Sequence, residues 1–255
     1  MKISKGTLKS IFARTHELYF RRYGAWLKVA SPALIFLFVA WMGFWNNSGL
    51  LWQLNERLGE GGGWVSWGMG FCLAVVMMLS VISVILTVNA WEMDCKILRM
   101  GFLYRNAFDL LGPFILLKIR YFLHVLYKTL FLIVPGFLAA VDASAYGFAF
   151  LIDHKQGREA IDFSRKIVTV QRFRYLDYIL LGIFLMYLVV AGFVLAMDPV
   201  LVILDMNDHD KLTALVEFFH FAVIYHALIY FVIFQYFIYQ TFKNLKDQPY
   251  RTHRD

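Results

Sequence analysis

The sequence predicts an all-α protein, a polytopic membrane helix bundle with six membrane segments that include a short hairpin broken at a Pro-Gly pair. Its 255 residues are 60% hydrophobic and 17% charged, whereas soluble domains average about 45–50% apolar and about 25% charged residues. Most apolar residues fall in runs of the length that crosses a bilayer. The 25 Lys and Arg residues gather between these runs, and basic loops stay on the cytoplasmic side of a membrane.

The first element, residues 1–28, is predicted to be a basic amphipathic segment in the cytoplasm. On a helical wheel Lys5, Lys9 and Arg14 lie away from the apolar positions. Such a helix lies either on the membrane surface, where these three cations contact lipid headgroups, or against the protein's own cytoplasmic loops. The sequence leaves both interpretations open.

The membrane domain is predicted to occupy residues 29–242, and residues 243–255 are predicted to form a cytoplasmic tail. Connections 47–66 and 198–213 contain few basic residues, so they are expected outside the cytoplasm, with both termini inside. The six predicted segments are residues 29–45, 67–91, 121–134, 137–152, 175–197 and 214–242.

The two central segments need a separate explanation, because basic residues flank 121–152 on both sides. The chain must therefore return to the side that it enters. Each arm has only about 15 residues, fewer than the roughly 20 that a span needs. They form either two short spans joined at Pro135-Gly136 or a re-entrant hairpin. Lys128 and Asp142 would then lie on facing arms and form a buried ion pair, unless Lys128 extends to the headgroups.

The stretch 154–173 has the pattern of a cytoplasmic amphipathic helix. Helical spacing places one set of residues on a common face: Ile161, Ser164, Ile167, Val168 and Gln171. The basic residues Arg158, Arg165 and Lys166 are further candidates for contact with lipid headgroups.

A resemblance to a known group of proteins rests on the residues around the hairpin. The stretches that carry it are Ile133-Val134-Pro135-Gly136-Phe137, the aromatic-rich Tyr146 to Ile152, and Gly157-Arg158-Glu159-Ala160-Ile161-Asp162-Phe163-Ser164-Arg165. This combination resembles the pattern of a broad group of bacterial six-span membrane proteins, which includes the membrane domain fused to some glycerophosphodiester phosphodiesterases. The resemblance implies a bacterial inner-membrane protein. It does not extend to phosphodiesterase activity, since these residues contain no such domain.

Three polar residues in the last predicted segment are candidate intramembrane functional residues. Glu217 and His220 share a helix face, and carboxylate-x-x-His pairs occur in di-metal bundles. Such sites need carboxylates from other helices, so a polar pair near the external interface is favoured. His226 is predicted to lie deeper in the membrane. It acts either as a titrating proton relay or, as we favour, as a neutral histidine that is hydrogen-bonded to a neighbouring helix.

The sequence contains no motif that predicts catalysis, a cofactor or a metal. It has no Gly-rich phosphate loop, metalloprotease helix motif or nucleophile elbow. We therefore predict a non-enzymatic inner-membrane protein that binds lipid or serves as an accessory or assembly subunit. One alternative is a transporter or channel for a small or lipidic substrate that uses Lys128 and Asp142 in the hairpin. An integral-membrane lipid enzyme is a third, less favoured alternative. The expected partners are anionic lipids and membrane-protein subunits, and nucleic acid is disfavoured because the cations border spans.

Overall fold

The computed structural model describes residues 8–40, 57, 62–93, 99–206 and 210–247. Nearly all of them are helical, and these residues contain no strand. The helices are α1 (Leu8–Arg21), α2 (Tyr23–Ala40), α3 (Gly62–Glu92), α4 (Met100–Phe131), α5 (Ile133–Ala143), α6 (Tyr146–Leu151), α7 (Arg158–Val168), α8 (Arg172–Met206) and α9 (Asp210–Asp247). Within the described residues, five stretches of helix are long and apolar enough to cross a membrane, or six if α1 and α2 count as one bent span. The predicted fold class is confirmed.

The chain divides into two compact units. The first, which we call the hairpin unit, comprises Met1–Arg22, Ile82–Ile183 and Phe231–Asp255. The second comprises Tyr23–Val81 and Phe184–Tyr230. Helices α3, α8 and α9 contribute residues to both units.

The core of the hairpin unit is built on the aromatic end of α9. Its side chains Tyr236, Tyr239 and Phe242 are almost completely buried. Phe148 of α6 stacks on Tyr239 with ring centroids 5.5 Å apart, and Tyr175 of α8 meets Phe242 edge to face at 5.2 Å. Aromatic pairs in these geometries contribute about 0.5–1.5 kcal/mol beyond the area that they bury. The end of α9 therefore holds α6 and the start of α8 together.

The second unit is a helix bundle whose helices meet through aromatic contacts and hydrogen bonds. Phe38 of α2 meets Phe218 of α9 at 4.9 Å, and the hydroxyls of Ser80 and Tyr225 share a hydrogen bond. The part of α8 in this unit exposes large apolar side chains, including Leu195. Side chains of this kind are suited to contact with lipid.

The central hairpin turns at a different residue from the one that the sequence predicts. Helix α4 runs without interruption to Phe131, so residues 121–131 are its continuation rather than a separate segment, and Ile133 and Val134 already belong to α5. The helix ends at Leu132, whose backbone is extended (φ −159°, ψ 135°). Pro135 follows in the first turn of α5, where a missing N–H breaks no helical hydrogen bond. The Pro-Gly pair therefore begins the second arm and does not mark the turn.

Gly136 has a different role, which is to let the two arms touch. A Cβ atom added there would lie 2.7 Å from Cα of Thr129. Further along, the Tyr121 hydroxyl donates a hydrogen bond of 3.1 Å to the carbonyl oxygen of Ala140, and its ring stacks on Tyr146 at 4.5 Å. These contacts pair α4 with α5 and α6 in antiparallel order. Residues 121–151 form what we call the hairpin.

We predict that Gly136→Ala destabilises the protein by about 1–3 kcal/mol, because the added methyl group forces the arms apart. Gly112→Ala in α4 is the matched control, since no described atom lies within 4 Å of a Cβ built there. Helix propensity makes that change neutral or slightly stabilising. Thermal unfolding in detergent measures both, and equal stabilities of the two variants would contradict the close approach.

Candidate functional site

Helix α7 is amphipathic and packs on the hairpin. Its buried residues are Ala160, Ile161, Ser164, Ile167 and Val168, which confirms four of the five positions predicted for this face. The fifth, Gln171, is half-buried in the 3₁₀ turn Thr169–Gln171. The hydroxyl of Ser164 donates a hydrogen bond of 3.2 Å to the carbonyl oxygen of Asp142. The helix begins at Arg158 and so is shorter than the predicted 154–173.

The carboxylate of Asp142 binds Arg172, not Lys128. The Arg172 guanidinium donates two hydrogen bonds, from Nε to Oδ1 at 2.5 Å and from Nη2 to Oδ2 at 2.7 Å. Asp142 is only 4% exposed, and a paired arrangement of this kind compensates a buried carboxylate. Among the described residues no ion pair joins Lys128 to Asp142.

The position of the turn explains why the predicted pair does not form. With Leu132 at the tip, Lys128 begins about 6 Å from the tip and Asp142 about 15 Å from it. The two residues therefore lie at different depths along the hairpin. Asp142 instead lies at the hairpin's base, beside the start of α8.

The N-terminal helix α1 packs on the protein. Ile11 is buried, and Phe12 stacks on Phe234 at 4.6 Å. Arg14 forms a 2.5 Å ion pair with Glu92 of α3, so this predicted headgroup contact is used within the protein. Lys9 is exposed, and Lys5 lies outside the described residues. The structure therefore favours the packed interpretation of this segment.

A second acidic group, Asp153, is held by the end of α9. It accepts hydrogen bonds from the Tyr239 hydroxyl and the Lys243 ammonium. Residues 152–157 form the loop that leads out of the hairpin, and this contact fixes the loop to the aromatic core. The loop's position is therefore set by α9 as well as by the hairpin.

The cations of α7 are exposed. Arg158 is 93% exposed and lies 3.7 Å from Asp162, while Arg165 and Lys166 also point outward. We call these three residues the basic face of α7. Beside them Lys155 bonds Glu159 at 2.7 Å, and this hydrogen bond raises the pKa of Lys155 above its ordinary value. The carboxylate of Glu159 is thus balanced by Lys155.

A cavity of about 520 Å³, which we call the groove, lies between α4 and the loop that precedes α7. One wall is apolar and consists of Leu110, Pro113, Leu116, Leu117 and Phe150. The rest of the lining, which we call the rim, is mostly polar and consists of Arg120, His154, Gln156, Gly157, Arg158 and Glu159. The groove therefore joins a hydrocarbon-like surface to two guanidinium groups.

Gly157 allows the loop before α7 to lie close to the side chain of Arg120. Its φ of +52° is a backbone conformation that other residues rarely adopt. A Cβ there would also lie 2.6 Å from Nη1 of Arg120. The guanidinium of Arg120 consequently lies against the loop backbone. Arg120 is not among the site residues that the sequence predicts, because only the fold brings it beside Gly157 and Arg158.

The tip of the hairpin is apolar and exposed. The sequence has no charged residue between Lys128 and Asp142. Large side chains around the turn face outward, with Ile133 78% exposed. From Arg120 to Phe131 the helix is about 17 Å long. This is little more than half of the roughly 30 Å thickness of a bilayer's hydrocarbon core.

The predicted intramembrane residues lie in the second unit. His220 meets Phe193 at 5.3 Å, and its buried Nε2 has no hydrogen-bond partner in the described part of the chain. The ring of His226 lies 5.6 Å from that of Tyr23. The side chain of Glu217 is outside the described residues. Within those residues no three His, Cys, Asp or Glu side chains could hold a metal ion together.

No protein-family model, curated protein or solved structure matches this chain. The resemblance to bacterial six-span proteins therefore stays a prediction.

We predict strong coupling between Asp142 and Arg172. Arg172→Met leaves a buried carboxylate without its partner, which commonly costs about 3–5 kcal/mol. We expect a value near the lower end because the Arg172 side chain is 29% exposed. The double variant Asp142→Leu/Arg172→Met should recover much of the loss. A double-mutant cycle on thermal stability in detergent measures the coupling.

Lys128→Met provides the control for this cycle. Its effect should be small and should add to that of Asp142→Leu. The opposite result would contradict the structure: if the effects of changing Asp142 and Lys128 were coupled, and those of changing Asp142 and Arg172 simply added, the ion pair would be the one that the sequence predicted.

Proposed function

We propose that this is a non-enzymatic integral protein of the bacterial inner membrane that binds anionic lipid headgroups on its cytoplasmic side. The observation that carries the proposal is the exposure of the basic face of α7 at the base of an apolar hairpin. Each Lys or Arg near an anionic membrane surface contributes about 1 kcal/mol of attraction. The basic face therefore favours anionic over neutral lipid.

The length of the hairpin supports a re-entrant arrangement. Arg120 lies against Gly157, so the chain enters and leaves the hairpin at one level. An arm of about 17 Å from that level brings the apolar tip among the acyl chains near the bilayer centre. The same level then coincides with the lipid headgroups, where Arg158, Arg165 and Lys166 lie. Irregular backbone at membrane depth is tolerated where its polar groups are hydrogen-bonded within the protein. The backbone N–H of Leu132 donates a hydrogen bond to the carbonyl oxygen of Lys128.

The alternative of a transporter has lost its main support. It depended on Lys128 and Asp142 meeting within the hairpin, whereas the carboxylate of Asp142 is bound to Arg172. An accessory role in a larger complex is compatible with lipid binding. It would be favoured if a second protein co-purified in a fixed ratio.

We predict that Arg165→Gln/Lys166→Gln lowers the selective retention of anionic lipid. The protein is reconstituted in vesicles of equal phosphatidylglycerol and phosphatidylethanolamine, extracted gently, and its retained lipids are quantified. Wild type should be enriched in phosphatidylglycerol, and removal of two cations should reduce this enrichment severalfold. Asp162→Asn on the same helix is the control and should preserve or increase it. Equal enrichment in all three proteins would contradict the proposal.

We also predict the depth and orientation of the hairpin. In a background with Cys72 and Cys95 replaced by Ser, Asn207→Cys should react with an impermeant thiol reagent in intact cells. Lys9→Cys should react only after permeabilisation. Ile133→Cys should be protected in both conditions, although its side chain is exposed in the protein, because lipid covers it. Labelling of Ile133→Cys in intact cells would show a hairpin that crosses the membrane.

A further inference from the structure

We infer that the groove holds one anionic phospholipid, with its phosphate at Arg120 and Arg158 and an acyl chain along the apolar wall. This inference rests on the proposed function, because it assigns a single defined site within a generally lipid-attracting surface. The groove lies entirely in the hairpin unit. Of the ion pairs described above, one involves these two arginines, the 3.7 Å contact of Arg158 with Asp162.

The apolar wall has the character of a hydrocarbon-binding surface. Leu117 and Phe150 are buried in the protein and give the wall a fixed shape. Leu116, by contrast, is 52% exposed and lies at the wall's open edge. A volume of about 520 Å³ falls within the range of about 300–1,000 Å³ for sites that hold one small ligand. The groove therefore has room for part of one lipid.

The charge of the rim selects a phosphate. Arg120 and Arg158 supply guanidinium groups, which bind phosphate oxygens through paired N–H donors. The one carboxylate on the rim, Glu159, is already paired with Lys155 at 2.7 Å. Arg158 also opens α7, and among the described residues no side chain caps this helix at Gly157. Although the N–H of Glu159 donates a hydrogen bond to the carbonyl oxygen of Gln156, the positive end of the helix dipole adds further attraction for an anion.

The position of the groove selects a lipid rather than a soluble phosphate. Its rim lies where the chain enters and leaves the hairpin. The apolar wall lies on the side of Arg120 that is away from the tip, so the acyl chain in the groove turns out of the bilayer, while the lipid's second acyl chain runs toward the tip past exposed residues such as Leu123. An occupant must therefore present an anionic group and a hydrocarbon chain side by side. A glycerophospholipid with a net negative charge has this form.

Native mass spectrometry of the full-length protein tests the inference. Detergent-purified protein is titrated with phosphatidylglycerol or phosphatidylethanolamine, and retained adducts are counted after collisional activation. We expect one phosphatidylglycerol adduct that resists dissociation, with at least tenfold weaker retention of phosphatidylethanolamine. Arg120→Gln should reduce retention of that adduct at least tenfold. Arg105→Gln, also exposed on α4 but outside the groove, should leave it unchanged.

A second pair of variants tests the apolar wall. Leu116→Trp fills the edge of the groove and should displace the adduct. Ile119→Trp is its control, because Ile119 is 50% exposed on the same helix but does not line the groove. Persistence of the adduct in both Arg120→Gln and Leu116→Trp would overturn the inference. So would its displacement by millimolar glycerol phosphate, which would identify a site for a soluble anion.

The two proposals can fail separately. Arg165→Gln/Lys166→Gln should lower general enrichment in anionic lipid but keep the single adduct, since neither residue lines the groove. Enrichment without a persistent adduct would overturn the groove inference and leave the proposed function in place. Absence of both would overturn both.

Discussion

The close approach of the two hairpin arms is the constraint on which the rest of the hairpin unit depends. Gly136 lets the backbone of α5 approach Thr129 of α4, and this contact follows directly from the turn at Leu132. It fixes the register that brings Tyr121 to Ala140 and Tyr146. The same register carries Asp142 to the base of the hairpin, within reach of Arg172. A wider hairpin would move both the ion pair and the surface on which α7 packs.

Three acidic side chains of this unit connect its elements. Asp142 joins α5 to α8, Asp153 joins the exit loop to α9, and Glu92 joins α3 to α1. A carboxylate in a poorly hydrated setting is stable only with a cation or several donors beside it. These pairs consume Arg172, Lys243 and Arg14. Four exposed basic residues lie on α7 and beside the groove and make this end of the unit positively charged: Arg120, Arg158, Arg165 and Lys166.

The groove combines features that come from separate parts of the chain. The apolar wall belongs mainly to α4, whereas the cationic rim comes from Arg120, further along α4, and from Arg158 at the start of α7. The loop can approach α4 because Gly157 adopts a positive φ and has no side chain to strike Arg120. Its other end is held by the bonds from Tyr239 and Lys243 to Asp153. The shape of the groove therefore depends on the aromatic core of α9, although α9 does not line it.

The sequence by itself determined the all-α membrane fold and most of the buried face of α7, since hydropathy and helical spacing are local properties. It also predicted that residues 121–152 return on themselves, because charges flank both ends. Only the tertiary structure decided the register of that return. Pro135 is compatible with the first turn of a helix as well as with a break in a helix, so the sequence could not distinguish the two. Moving the turn from Pro135-Gly136 to Leu132 was enough to change the ion-pair partner of Asp142 from Lys128 to Arg172. Arg120 and Gly157 are 37 residues apart in the sequence, and no spacing rule joins them; their contact exists because the hairpin closes.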